Sequence, residues 1–147
     1  MRQGLVRRPR VLLFPDLSMN GIDRPALGLL ILRVVAGLSL SLAHGMGKLP
    51  VSDKFIEGVG SMGFPVPVVF AWAAALAESV GGLLLALGWF TRPAAAMIVA
   101  TMTTAVVLRH AGDPFGNREL PLLFGTIALM FLLVGAGRYS IDERMRG

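Results

Sequence analysis

Hydrophobic residues in this chain gather into four long runs, separated by short stretches rich in proline, glycine and charge. The first extends from about Ala26 to Gly47, roughly 33 Å as a helix, which is enough to cross a bilayer. The second, Val66 to Phe90, is long enough to span with some tilt. The third starts at Pro93, a residue suited to the first turn of a helix, and reaches His110. The fourth, Leu120 to Ala136, lies near the lower limit for spanning. Only Thr91 and Arg92 separate the second run from the third, so those helices must be antiparallel neighbours. Asp113-Pro114-Phe115-Gly116 makes a turn before the fourth. The pattern predicts an all-α integral membrane four-helix bundle over residues 26–142, with an arm at 1–25 and a tail at 143–147.

A shorter period appears in the longest loop, 49–65. Ser52 can cap a helix whose Phe55, Ile56, Val59 and Met62 fall on one face, and Gly63 can end it before Pro65. Such a segment is expected to lie in the interface and cap one end of the bundle.

Composition agrees with the pattern. The chain is 54% hydrophobic and 16% charged, too little charge to cover a soluble domain of this size. The net charge of +5 is no nucleic-acid signature, because the basic residues sit in tails and short loops. Nine of them (Arg2, Arg7, Arg8, Arg10, Arg24, Arg92, Arg138, Arg144 and Arg146) fall on the side of the termini. Four (Lys48, Lys54, Arg109 and Arg118) fall on the other side, so both termini are expected in the cytoplasm. The basic arm would lie on anionic headgroups. It is not expected to act as a cleavable signal, since Val11-Leu12-Leu13-Phe14 is too short an apolar core and Pro15-Asp16 ends it. The chain has no cysteine, which excludes a disulfide relay, a thiolate nucleophile and an iron–sulfur cluster of its own. No metalloprotease pair, Gly-rich phosphate loop or nucleophile elbow occurs either.

Several polar residues lie where lipid would penalise them. Arg33 stands about two turns inside the first helix and Glu78 near the middle of the second. An unpaired charge at that depth costs on the order of 3 kcal/mol, so both should face protein. Ala71, Ala75, Glu78, Gly82 and Ala86 form one small-residue stripe, the kind of surface on which another helix packs closely. Arg33, Gly37, Ser41, His44 and Lys48 share a face of the first helix, and Thr103 and His110 share one on the third. The plain reading makes Arg33 and Glu78 an ion pair that sets helix register. It leaves His44, His110, Lys48 and Glu119 as interfacial groups.

That reading does not account for four ionisable residues at one end of the bundle. His44, Lys48, His110 and Glu119 could hold a quinone headgroup and supply its protons. His44 and His110 could instead be the axial ligands of a b-type haem. A proton or small-solute carrier would use Glu78 as a relay, although four short helices leave little room for alternating access.

Several motifs carry a resemblance to a known family. They are Leu32-Arg33-x-x-x-Gly37, His44-Gly45-x-Gly47-Lys48, Gly63-Phe64-Pro65 and Ala77-Glu78-x-x-Gly81-Gly82, then Gly88, Thr91-Arg92 and Gly137-Arg138-Tyr139-Ser140-Ile141-Asp142. In this order and spacing the stretch from Leu27 to Asp142 resembles the DoxX family. That family consists of four-helix bacterial inner-membrane proteins named for the DoxD subunit of an archaeal thiosulfate:quinone oxidoreductase. The resemblance implies a multi-pass inner-membrane protein, a redox-complex partner and a quinone-linked role, with oligomerisation open. By position it marks Arg33, His44, Lys48, Glu78 and Arg92. In the quinone reading Arg33 and Glu78 brace the outer site from inside, and Arg92 is a further intramembrane polar support. The rival expectation is a non-catalytic anchor or assembly subunit.

Overall fold

The computed structural model describes residues 23–146. The expected arm at 1–25 therefore lies almost wholly outside the described residues. Helix α1 spans Arg24–Lys48, α2 Asp53–Ser61, α3 Pro67–Leu87, α4 Thr91–Arg109, α5 Phe115–Val134 and α6 Ile141–Arg144. No strand occurs among the described residues. The four long helices are those long and apolar enough to cross a membrane. Close backbone packing runs in sequence, α1 on α3, α3 on α4 and α4 on α5.

Local chemistry sets the ends. Asp23 caps α1 by accepting from the Ala26 N–H at 3.0 Å, and Ser52 caps α2 through the Phe55 N–H. Gly88, left-handed at φ 68°, stops α3 three residues before the expected Phe90. Helix α5 begins at Phe115 and not at Leu120, because Pro114 already starts it and Pro121 lies inside it. Glu119 is thus part of that helix instead of preceding it.

The interior is built mainly from small side chains, and the large apolar ones face outward. This is membrane-protein logic, since lipid provides no drive to bury Leu or Val. The expected stripe of Ala71, Ala75, Glu78, Gly82 and Ala86 is buried throughout. Helix α1 approaches it so closely that a Cβ on Gly45 would lie 2.4 Å from the Ser79 nitrogen, and one on Gly37 2.5 Å from the Gly82 carbonyl oxygen. Larger residues close the bundle deeper in, where Leu40, Leu85, Ile98, Met102 and Phe131 form a core.

Two stretches depart from α geometry. Leu40–Gly45 of α1 and Ala105–Arg109 of α4 are π-helical. The wider turn shifts every later residue relative to the 3.6-residue period. In α4 this defeats the expected Thr103–His110 face: Thr103 is exposed, while Thr101 and Thr104 line the interior with His110.

Candidate functional site

The polar residues separate into two clusters at opposite ends of the bundle. Arg33 and Glu78 do not pair. The fully buried Arg33 guanidinium donates to the carbonyls of Ala86 (3.1 Å), Ala136 (2.7 Å) and Tyr139 (2.8 Å). The first is one of the terminal carbonyls that α3 leaves without an intrahelical partner, and the others belong to the irregular segment after α5. A helical side chain points toward its own N-terminus, so Arg33 reaches this end and not the bundle centre. Gly88 makes room for it, since a Cβ there would clash with the guanidinium.

Asp142 completes the clamp. Its carboxylate accepts from the N–H groups of Phe90 (2.8 Å) and Thr91 (2.9 Å) at the start of α4, while its own N–H donates to the Gly88 carbonyl. Burial acts to raise the Asp142 pKa, and the hydrogen bonds from Thr91 and Phe90 outweigh it, holding the group below its ordinary value. Arg92 is exposed beside this cluster, with a 3.4 Å contact from its guanidinium to the Leu133 carbonyl. It stands at the bundle's edge and does not act as an interior support.

At the other end Lys48 Nζ donates to Glu78 Oε1 at 2.5 Å. The carboxylate is buried, and the lysine side chain is 32% exposed. The Gly45 contact with Ser79 brings the His44–Lys48 motif of α1 against the Ala77–Gly82 motif of α3 and thereby sets this pair. Lys48 also lies 5.5 Å from the Phe55 ring centroid, so α2 braces it from above.

These groups line a cavity of about 850 Å³. Lys48, Glu78, His44, His110, Thr101 and Thr104 supply its polar atoms. The walls are otherwise apolar, with Leu40, Ala77, Met102 and Phe124 below and, across it, Phe55 and Val59 of α2 with Met62 just after that helix. Phe70 and Ala73 of α3 and Met97 and Ala100 of α4 line it and are exposed, so it opens between those two helices. His44 meets Phe124 of α5 edge-on, with centroids 5.7 Å apart. His110 Nδ1 lies 2.7 Å from Asp113 Oδ2, leaving Nε2 for a ligand. The hydrogen bonds from His110 and Asn117 hold the Asp113 carboxyl below its ordinary pKa.

Three of the four outer residues singled out in the sequence, His44, Lys48 and His110, thus share one cavity. Glu119 is exposed on α5 and does not line it. Glu78, expected to brace the site from inside, is part of its lining. Asp113, Thr101 and Thr104 were not singled out. Asp113 is spaced three residues from His110, which could have signalled the contact, whereas the grouping of the threonines with His110 follows from the π-helical stretch that lies between them.

A small multi-pass membrane protein, with four apolar helices around an ionisable-footed cavity, is the class that fold and site define. The DoxX family profile matches residues 28–111, and the chain belongs to that family. It is 34% identical over 133 residues to inner membrane protein YphA of Escherichia coli (strain K12), covering 84% of this chain and 94% of that protein. It is 29% identical over 117 residues to "Putative oxidoreductase CatD" of Bacillus subtilis (strain 168), covering 79% of this chain and 85% of the relative. It is also 30% identical over 131 residues to a membrane protein, Rv3486, of Mycobacterium tuberculosis (strain ATCC 25618 / H37Rv), covering 78% of each. No solved structure matches the chain at a significant level.

Proposed function

We propose that the cavity binds the headgroup of a membrane quinone, in a small inner-membrane subunit of a quinone-linked oxidoreductase whose termini face the cytoplasm. The observation that carries this reading is the joining of an apolar cavity, open between two membrane helices, to a foot of proton-bearing groups. Its 850 Å³ falls in the range of small-molecule and cofactor sites. His44, His110 and Lys48 can donate to quinone carbonyls, and the α3–α4 opening gives an isoprenoid tail a way out to lipid. When bound, a quinone carries electron pairs. The chain's own residues orient the ring, exclude water and hold protons at Lys48 and His110. Electrons would come from a partner, because the chain has no cysteine for a thiol or cluster relay. The CatD name lends the redox direction some support.

The test is extraction in mild detergent, identification of bound quinone, and titration with a short-chain ubiquinone analogue. His44→Ala should weaken binding about tenfold, as expected for losing one hydrogen bond to a charged or polar partner, and leave thermal stability nearly unchanged. A Soret band in the purified protein would point instead to haem on His44 and His110. Equal analogue binding by the parent and His44→Ala, with a stable partner subunit present, would favour the anchor role.

A further inference from the structure

The end of the bundle opposite the cavity carries a second concavity, of about 360 Å³, between the start of α4 and the end of α5. Arg92, Arg138 and Arg146 line it, together with Asp142 and Glu143. The two acidic groups are not equivalent. Asp142 is committed to the N–H groups of Phe90 and Thr91. Glu143 stands 4.0 Å from Arg146, and the Arg138 guanidinium stands 4.0 Å from Asp23. Arg138 and Arg146 are each 71% exposed in their side chains. Arg92 has only the long contact with Leu133. Three guanidinium groups, each with several N–H donors, therefore surround one small hollow without a tight carboxylate partner.

The surroundings fit a lipid. Leu133 and Val134 are exposed immediately before the hollow, on the last turn of a membrane-spanning helix. Trp89, Phe90 and Tyr139 are exposed at the same end, the arrangement of an aromatic belt at headgroup level. We propose that Arg92, Arg138 and Arg146 form a binding site for the phosphate of an anionic phospholipid, whose acyl chains lie along Leu133 and Val134. Guanidinium groups suit this role because they bond phosphate oxygens in pairs. The site is separate from the cavity and does not depend on what the cavity holds.

Native mass spectrometry of the full chain in detergent, with phosphatidylglycerol or phosphatidylcholine added, tests it. Phosphatidylglycerol should be retained about tenfold better than phosphatidylcholine, and Arg138→Gln and Arg146→Gln should each weaken retention about fivefold. Arg24→Gln removes the same charge at the same end but outside the hollow, and should change retention less than about twofold. Arg138→Lys should keep more of the binding than Arg138→Gln, a comparison that holds even if truncation costs some stability. Equal retention of the two lipids overturns the proposal, and so does an Arg24→Gln effect as large as the other two. Binding of inorganic phosphate alone as tightly as the lipid would make this a free-anion site and would also overturn it.

Discussion

Cutting the Lys48–Glu78 pair from each side should have unequal consequences. Lys48→Met leaves the Glu78 carboxylate, 4% exposed, without its 2.5 Å partner. Removing one member of a buried pair in this way costs about 3–5 kcal/mol. Glu78→Gln leaves an ammonium that is already 32% exposed and can swing toward water. That change should cost only about 1.5–3 kcal/mol, the worth of a hydrogen bond to a charged group. The double substitution Lys48→Met/Glu78→Gln removes both charges and should recover much of the larger loss, giving a coupling of about 2 kcal/mol or more. Steric trapping or denaturant titration in mild detergent measures all four corners of the cycle. A second cycle on Arg33 and Glu78 serves as control. The register of Gly45 on Ser79 puts Arg33 twelve residues along α1 from the level of Glu78, roughly 18 Å. Its two effects should add within about 0.5 kcal/mol. Additive losses in the Lys48 cycle, or coupling in the Arg33 cycle, would refute the arrangement of charges described here.

Gly45→Ala should destabilise by about 1–3 kcal/mol, because its Cβ meets backbone atoms of Ser79, while Gly47→Ala, which meets nothing, should be neutral in the same melt. Arg33→Met strands three carbonyls that the guanidinium now satisfies, and a loss under about 2 kcal/mol would contradict its role as the clamp. Asp142 has a depressed pKa, so its stabilisation is present above the unfolded value near 3.9 and is lost as pH falls through the lower folded value. Stability below about pH 4 should therefore fall less steeply in Asp142→Asn than in the parent. For the orientation, membrane-impermeant thiol reagent applied from the periplasm should label Lys54→Cys and not Arg92→Cys, and the reverse pattern would invert the topology.

The fold was largely legible because hydropathy and small-residue spacing report the two things lipid demands, span length and close helix contact. Faces were legible too: the stripe around Glu78 is buried, and Arg33, Gly37 and Ser41 do look inward. Periodicity, however, says which way a residue faces around a helix and nothing about its level against the neighbouring helix. That is why the Arg33–Glu78 pairing failed. Side chains on α1 lean toward its start and those on the antiparallel α3 lean toward the opposite end. Arg33 and Glu78 therefore lean apart, while Lys48 and Glu78 lean toward each other. The π-helical turns were illegible for a related reason, since they change the period itself just where the cavity widens.

The same geometry explains why motifs scattered along the chain converge on only two places. Arg33, the Gly88–Thr91 turn and the Gly137–Asp142 segment come from three separate stretches, and the carbonyls and N–H groups they share tie α1, α3, α4 and the chain after α5 together at one end. With that end fixed, the α1–α3 register follows from Gly37 on Gly82 and Gly45 on Ser79, and with it the height at which Lys48 meets Glu78. Among the described residues no equivalent backbone clamp holds α3 to α4 at the far end, where Ala73 and Ala100 both line open space. A bundle closed at one end and splayed at the other leaves a cavity where its helices part. The charges at the foot of that cavity are held by packing set at both levels, so a change in the clamp should reach the cavity through register and not through any direct contact.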